Sequence, residues 1–169
     1  MKLVTADSSA ATLAEVREDH DDHEWKPVRL EEPAAATPAG KSAVYRTSLS
    51  VSQDGIDAGV ILTFPVIDDR GMLYVNGREA GRATDWSQPW TFEITKSLHE
   101  GNNSIALLVH NDWGDGGPQR GCSVEPVGRG LDDLQVAPTT RVTEEPFDDD
   151  QPRRFLTHYT MEFQLPRTP

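Results

Sequence analysis

Met72-Leu73-Tyr74-Val75-Asn76-Gly77-Arg78-Glu79-Ala80-Gly81 is the stretch on which the fold turns. Asn and Gly tolerate positive φ at both central positions of a two-residue turn, and the twist of that turn matches the strands on either side. Residues 72–75 therefore enter the turn as a strand and the chain returns beside it. Further on, Trp90, Phe92 and Ile94 alternate with Thr91 and Glu93, the period-two pattern of a half-buried strand. Thr95 is read as a helix N-cap, Lys96 to Glu100 as about one helical turn, and Gly101 as the residue that ends it in the left-handed conformation. Alternation then resumes with Ile105, Leu107 and Val109.

The same punctuation extends outward in both directions. Tyr45, Thr47, Leu49 and Val51 alternate with Arg46, Ser48 and Ser50, which predicts a strand, and Gln53-Asp54-Gly55 marks the following turn. Val60 to Phe64 is a short apolar run, read as a central strand covered on both faces. His110 to Gln119 and Gly128 to Gln151 read as irregular, apart from a brief strand near Leu134 to Val136. The chain closes on its longest alternation, from Phe155 to Leu165. That segment is either a neighbour of the 45–51 strand in one sheet or the start of a further strand or domain at 153–169. Heptads, repeats of 20–50 residues and helices longer than a turn are absent from the pattern, which leaves an all-β chain folded as an antiparallel β-sandwich.

Residues 1–20 are read as an extended lead-in and 21–169 as one sandwich domain, a size that fits a single core. Trp25 is expected to anchor the lead-in, with Val28 and Leu30 on a short edge strand where Pro27 is tolerable. A net charge of −12 argues against nucleic acid as a partner, because affinity for phosphate rests on Lys and Arg. The acidic runs Glu18 to Asp22 and Asp148 to Asp150 are read as solvated. Cys122 stands alone, so no internal disulfide or cysteine-rich zinc site is available, and it is read as a small buried apolar residue. No apolar run reaches the ~20 residues of a membrane span, and the start lacks the basic and apolar regions of a signal peptide. The expectation is a soluble chain, cytoplasmic by default and with no membrane partner; it could equally be a subunit or a piece of a larger polypeptide.

Several segments in the same order resemble a known family. They are Asp21-Asp22-His23-Glu24-Trp25-Lys26-Pro27-Val28, Tyr45-Arg46-Thr47, Leu73-Tyr74-Val75-Asn76-Gly77 with Gly81, Phe92-Glu93-Ile94-Thr95, and Leu98 with Gly101-Asn102-Asn103-Ser104-Ile105-Ala106. The chain resembles, over residues 21–112, the jelly-roll sugar-binding domain of β-galactosidase-like glycoside hydrolases, part of the galactose-binding-like group. The resemblance implies a non-catalytic sandwich that packs against a catalytic domain or subunit, or binds glycan itself. It also implies that an acidic residue from the loop after the Ser104 to His110 strand reaches a neighbouring active site. Here that loop is Asn111 to Gly121, with Asp112 and Asp115 as its acids, and it departs from the family's acidic-aromatic-basic pattern.

Carbohydrate presents hydroxyls around apolar C–H faces, so a site for it needs an exposed aromatic platform with polar groups at the rim. Trp86 with Asp85 and Trp113 with Asp112 are the candidates, and for both tryptophans the alternative is a plug covering the sandwich end. Trp90 falls on the inward alternation and is assigned to the core. Asp68-Asp69, and Asp112 with Asp115, could ligate a structural calcium, although neither has EF-hand spacing. His20 and His23 with Asp21 and Asp22 form a weaker metal candidate on the lead-in. Glycoside hydrolysis needs two carboxylates flanking one bond on rigid elements, and no such arrangement is legible, nor is a nucleophile elbow, a zinc-protease helix or a phosphate loop. The sequence therefore predicts an accessory sandwich of a glycoside hydrolase, without catalytic residues of its own. The alternative is a protein-interaction sandwich that does not touch glycan.

Overall fold

The computed structural model describes residues 2–4, 14–30, 36–127, 134–135 and 162–166. Its strands are β1 (Lys2–Val4), β2 (Trp25–Arg29), β3 (Thr37–Pro38), β4 (Lys41–Val51), β5 (Val60–Phe64), β6 (Val66–Asp68), β7 (Arg70–Val75), β8 (Arg78–Ala83), β9 (Trp90–Glu93), β10 (Gly101–Asn111), β11 (Asp115–Gln119), β12 (Ser123–Pro126), β13 (Leu134–Gln135) and β14 (Glu162–Pro166). One helix, α1 (Gln53–Ala58), and 3-10 turns at Ala14–Val16 and Thr95–Ser97 complete the described elements.

The Asn76-Gly77 turn organises the larger layer. Both residues have positive φ, 50° and 73°, as a tight hairpin between β7 and β8 requires. The Asn76 side chain ties the turn to its surroundings: Oδ1 accepts from the Ser104 amide at 2.8 Å, and Nδ2 donates to the Ser97 carbonyl at 2.9 Å and to Asn103 Oδ1 at 2.8 Å. The hairpin extends an antiparallel sheet in the order β1-β4-β10-β7-β8, with β13 also pairing β4. The long partners β4 and β10 run in register from Gly101 opposite Val51 to Asn111 opposite Lys41.

A second layer, β12-β5-β9, faces it. Tyr45, Leu49, Leu73, Ile105 and Leu107 from the large sheet share one core with Leu62, Phe64, Phe92 and Val124 from the facing sheet. This is an all-β antiparallel sandwich, as the alternation predicts. The Tyr45 hydroxyl, buried and 2.7 Å from Thr37 Oγ1, is pushed far above its ordinary titration range by that burial. Two smaller ladders are β3-β11-β6 and β14-β2.

The outer face of the large sheet is covered as well. Val44, Tyr74, Ala106 and Leu108 form a second cluster with Val16 from the stretch before β2 and Trp25 at its start. Trp25 is the anchor expected of it, 7% exposed and edge-on to His20. Residues 14–20, part of the stretch read as lead-in, thus lie on the sheet.

Several local expectations need correction. Residues 53–55 do not form an isolated turn but open α1, which Ser52 caps by accepting the Gly55 amide. Thr95 does not cap its own turn; its hydroxyl accepts from the Val60 amide at 2.8 Å and so secures the start of β5. Gly101 has φ of 91° but opens β10 instead of ending a five-residue helical turn. β5 is central in its sheet, yet only Val60, Leu62 and Phe64 are fully buried, while Ile61 and Thr63 stay half exposed. The 110–119 stretch is not all loop, since β10 continues to Asn111 and β11 begins at Asp115. Trp90 packs against the core from its margin. The edge strand expected at Val28 is present as β2, paired on one side with β14. Residues 155–161 and Val136 lie outside the described residues.

Candidate functional site

Val109 of β10 pairs with Gly71 of β7, which pairs with Ala83 of β8, so the loops after β10 and β8 leave the same end of the large sheet. Trp113 stands on the first loop and Trp86 on the second. They are 84% and 59% exposed, far more than any other described tryptophan.

Asn111 builds the first loop from inside. Its fully buried side chain donates through Nδ2 to the carbonyls of Thr37 at 2.6 Å and Gly114 at 2.8 Å, and accepts the Trp113 amide on Oδ1 at 3.1 Å. Gly116 is required beside it: a Cβ there would lie 2.5 Å from Asn111 Cγ. Asp112 holds the loop from outside. Arg70 Nη2 donates to both Asp112 oxygens at 2.9 and 3.0 Å, and His110 Nε2 lies 3.0 Å from Oδ1. His110 Nδ1 is in turn 2.9 Å from Ser42 Oγ, and the Asp112 amide donates to Asp69 Oδ2 at 2.6 Å. The Asp68 carboxyl nearby is held above its usual range, chiefly by burial and then by Asp69.

Asp85 builds the second loop. Its Oδ1 accepts from the Ser87 amide at 2.9 Å and hydroxyl at 2.6 Å, and its Oδ2 from Gln88 Nε2 at 2.8 Å. The Ser87 hydrogen bonds hold the Asp85 carboxyl below its usual range. Trp90 pins the same loop by donating from Nε1 to the Asp85 carbonyl at 2.8 Å. The four sequence candidates thus come to one end of the sheet with a division of labour. Asp85 is engaged inside its own loop, Asp112 ties its loop to Arg70 of β7 and His110 of β10, and the indoles are left facing water.

The metal candidates are not assembled. Among the described residues no group of three or more His, Cys, Asp or Glu is placed to hold an ion. His23 Nδ1 lies 2.6 Å from Asp21, Asp22 binds Arg46, and the His20 ring packs on Trp25. Asp69 and Asp112 meet through the Asp112 amide and not through paired carboxylates.

Sequence reasoning gave no role to Arg46, which it noted as alternating with Tyr45 and Thr47. It is 4% exposed. Nε donates to Asp22 at 2.9 Å, Nη1 to the Glu15 and Arg17 carbonyls at 2.9 and 2.8 Å, and Nη2 to Ser104 Oγ at 3.0 Å. A polar cavity of about 400 Å³ lies beside it, with Glu18, Ser48 and Asn102 in its wall. Arg46 in a segment quoted for the family resemblance was the only available signal, and it did not show what the residue binds.

Comparison with known proteins connects this arrangement to a family. The β-galactosidase of Priestia megaterium (strain DSM 319 / IMG 1521) is 30% identical over 86 residues, which are 51% of this chain and 8% of that protein. A calcium binding mutant of Bacteroides uniformis β-glucuronidase 2 superposes with a TM-score of 0.59 at 21% identity, over 73% of this chain and 16% of that one. A crystal structure of Bacteroides uniformis β-glucuronidase gives 0.58 at 20%, with the same coverage. At that identity the two structures establish a shared fold. The chain spans only a small part of each of these proteins. The family described as glycosyl hydrolases family 2, sugar binding domain, matches residues 22–119, and the chain belongs to that family.

Proposed function

We propose that this chain is the non-catalytic sandwich of a glycoside hydrolase, supporting a separate catalytic domain and contacting carbohydrate through Trp86 and Trp113. The observation that carries the reading is the pairing of two exposed indoles with two loops locked by their own carboxylates. An indole left in water on a mobile loop would be unremarkable, whereas one held out on a fixed loop is pre-organised for a flat apolar ligand face. Asp85 and Asp112 act in this reading as positioning residues for Trp86 and Trp113, in place of the direct sugar contacts expected from sequence.

Galactosides are the first ligands to test, since the β-galactosidase relative carries that name. After β10, Asp112 has both oxygens bound, which leaves the exposed Asp115 at the start of β11 as the carboxylate available to a neighbouring domain. Isothermal calorimetry of the chain against a galactoside panel is expected to give saturable heat that Trp86→Ala and Trp113→Ala each weaken. Saturable heat that survives both substitutions would reject those residues as the contact. The chain alone is expected to leave a nitrophenyl galactoside unhydrolysed, and turnover by the pure chain would overturn the non-catalytic assignment.

A further inference from the structure

The order of the strands that carry the two tryptophan loops bears on what kind of carbohydrate they meet. β8 and β10 flank β7, with Ala83, Gly71 and Val109 in line across the three strands. Neighbouring strands lie ~4.8 Å apart, so the ends of β8 and β10 are separated by about 10 Å. Trp86 stands three residues beyond Ala83, and Trp113 four residues beyond Val109. A run of linked rings laid across the ends of both strands can meet both loops at once.

The exposure points the same way. With 84% of Trp113 and 59% of Trp86 open to solvent, the indoles are platforms without walls. A pocket that encloses a sugar selects a chain end, whereas an open platform accepts an internal stretch. Both loops are held by hydrogen bonds, through Asn111 and Asp112 on one side and through Asp85 and Trp90 on the other, so two contacts can be made at once with little further ordering.

We propose that this end of the sheet binds an extended glycan of three or more pyranose units, laid across the start of β7, with one ring on Trp86 and another on Trp113. The proposal rests on the carbohydrate reading given under Proposed function. Once the first ring is seated, the second contact is intramolecular, and its gain follows from effective concentration and not from any new pocket.

The test is a length series. The full chain is titrated with β-1,4-linked galacto-oligosaccharides from the monosaccharide to the hexasaccharide, following heat and tryptophan fluorescence. The dissociation constant is expected to fall about tenfold or more between monosaccharide and trisaccharide, and then to level off. Trp86→Ala and Trp113→Ala should each return the trisaccharide to near the monosaccharide value, with unchanged thermal melting showing that the fold is intact. Trp86→Phe and Trp113→Phe, which keep a ring, should retain part of the length dependence. Equal affinity at every length, lost on removing one tryptophan alone, would overturn the spanning mode and leave the carbohydrate contact standing. Absence of binding at every length would overturn both.

Discussion

Arg46 shows what a single residue can decide. Its guanidinium binds one carboxylate, two main-chain carbonyls and a hydroxyl, and so joins the stretch before β2 to β4 and β10. Arg46→Met should cost about 2–4 kcal/mol in urea unfolding, because Asp22 and the Glu15 and Arg17 carbonyls lose their shared donor together. Asp22→Asn should cost less, about 1 kcal/mol, since Asp22 is a third exposed and its amide oxygen can still accept. The sequence could not show this role, because an arginine on the polar side of an alternating strand looks the same whether solvent or another segment covers it. Asp68 makes a prediction of opposite sign. Its folded carboxyl titrates above the ordinary value, so its contribution is favourable below the unfolded pKa and is lost as pH rises through the folded one. Asp68→Asn is therefore expected to stabilise the chain at neutral pH. The gain should vanish in thermal melts taken below the ordinary carboxylate range.

At the scale of elements, the strands were legible and the short interruptions were not. Alternation at 45–51, 60–64 and 90–94 and the Asn-Gly turn each report a local preference that the sheets then use. The helix at 53–58 is too short to generate a period, and its only signal is Ser52 three residues before Gly55. β11 carries Gly116-Gly117-Pro118, a string that reads as a breaker, and becomes a strand because β3 and β6 lie on either side. Thr95 has the chemistry of a cap, but its hydroxyl serves a strand distant in sequence. The same limit applied to Asp112, whose engagement depends on Arg70, which pairing of β7 with β10 brings alongside. Gly81 lets Phe92 of the facing sheet come close to β8. The pairing of β7 with β8 slips between Leu73 and Tyr74 opposite it, and a Cβ on Gly81 would fall 2.4 Å from Phe92 Cδ1. Gly81→Ala should destabilise by about 1–3 kcal/mol in denaturant unfolding, by pushing the Phe92 ring out of its place in the core.

At the scale of the molecule, the sandwich and the family were both readable because the decisive residues are collinear and local. The placement of Trp86 and Trp113 at one end was not, since it follows from which strands become neighbours. The same neighbour relations give β10 an unusual situation. It is flanked by β4 and β7, with Ile105, Leu107 and Val109 in the sandwich core and Ala106 and Leu108 under Val16 and Trp25 on the reverse side. Shelter on both sides and both edges makes this strand the place where deuterium should enter last. In native-state exchange followed by mass spectrometry, peptides covering 104–109 are expected to stay protected until the whole molecule opens, while those covering 84–89 label early. Loss of protection across 104–109 in Arg46→Met, without global unfolding, would mean that the stretch before β2 acts as a latch on the slowest-opening part of the protein.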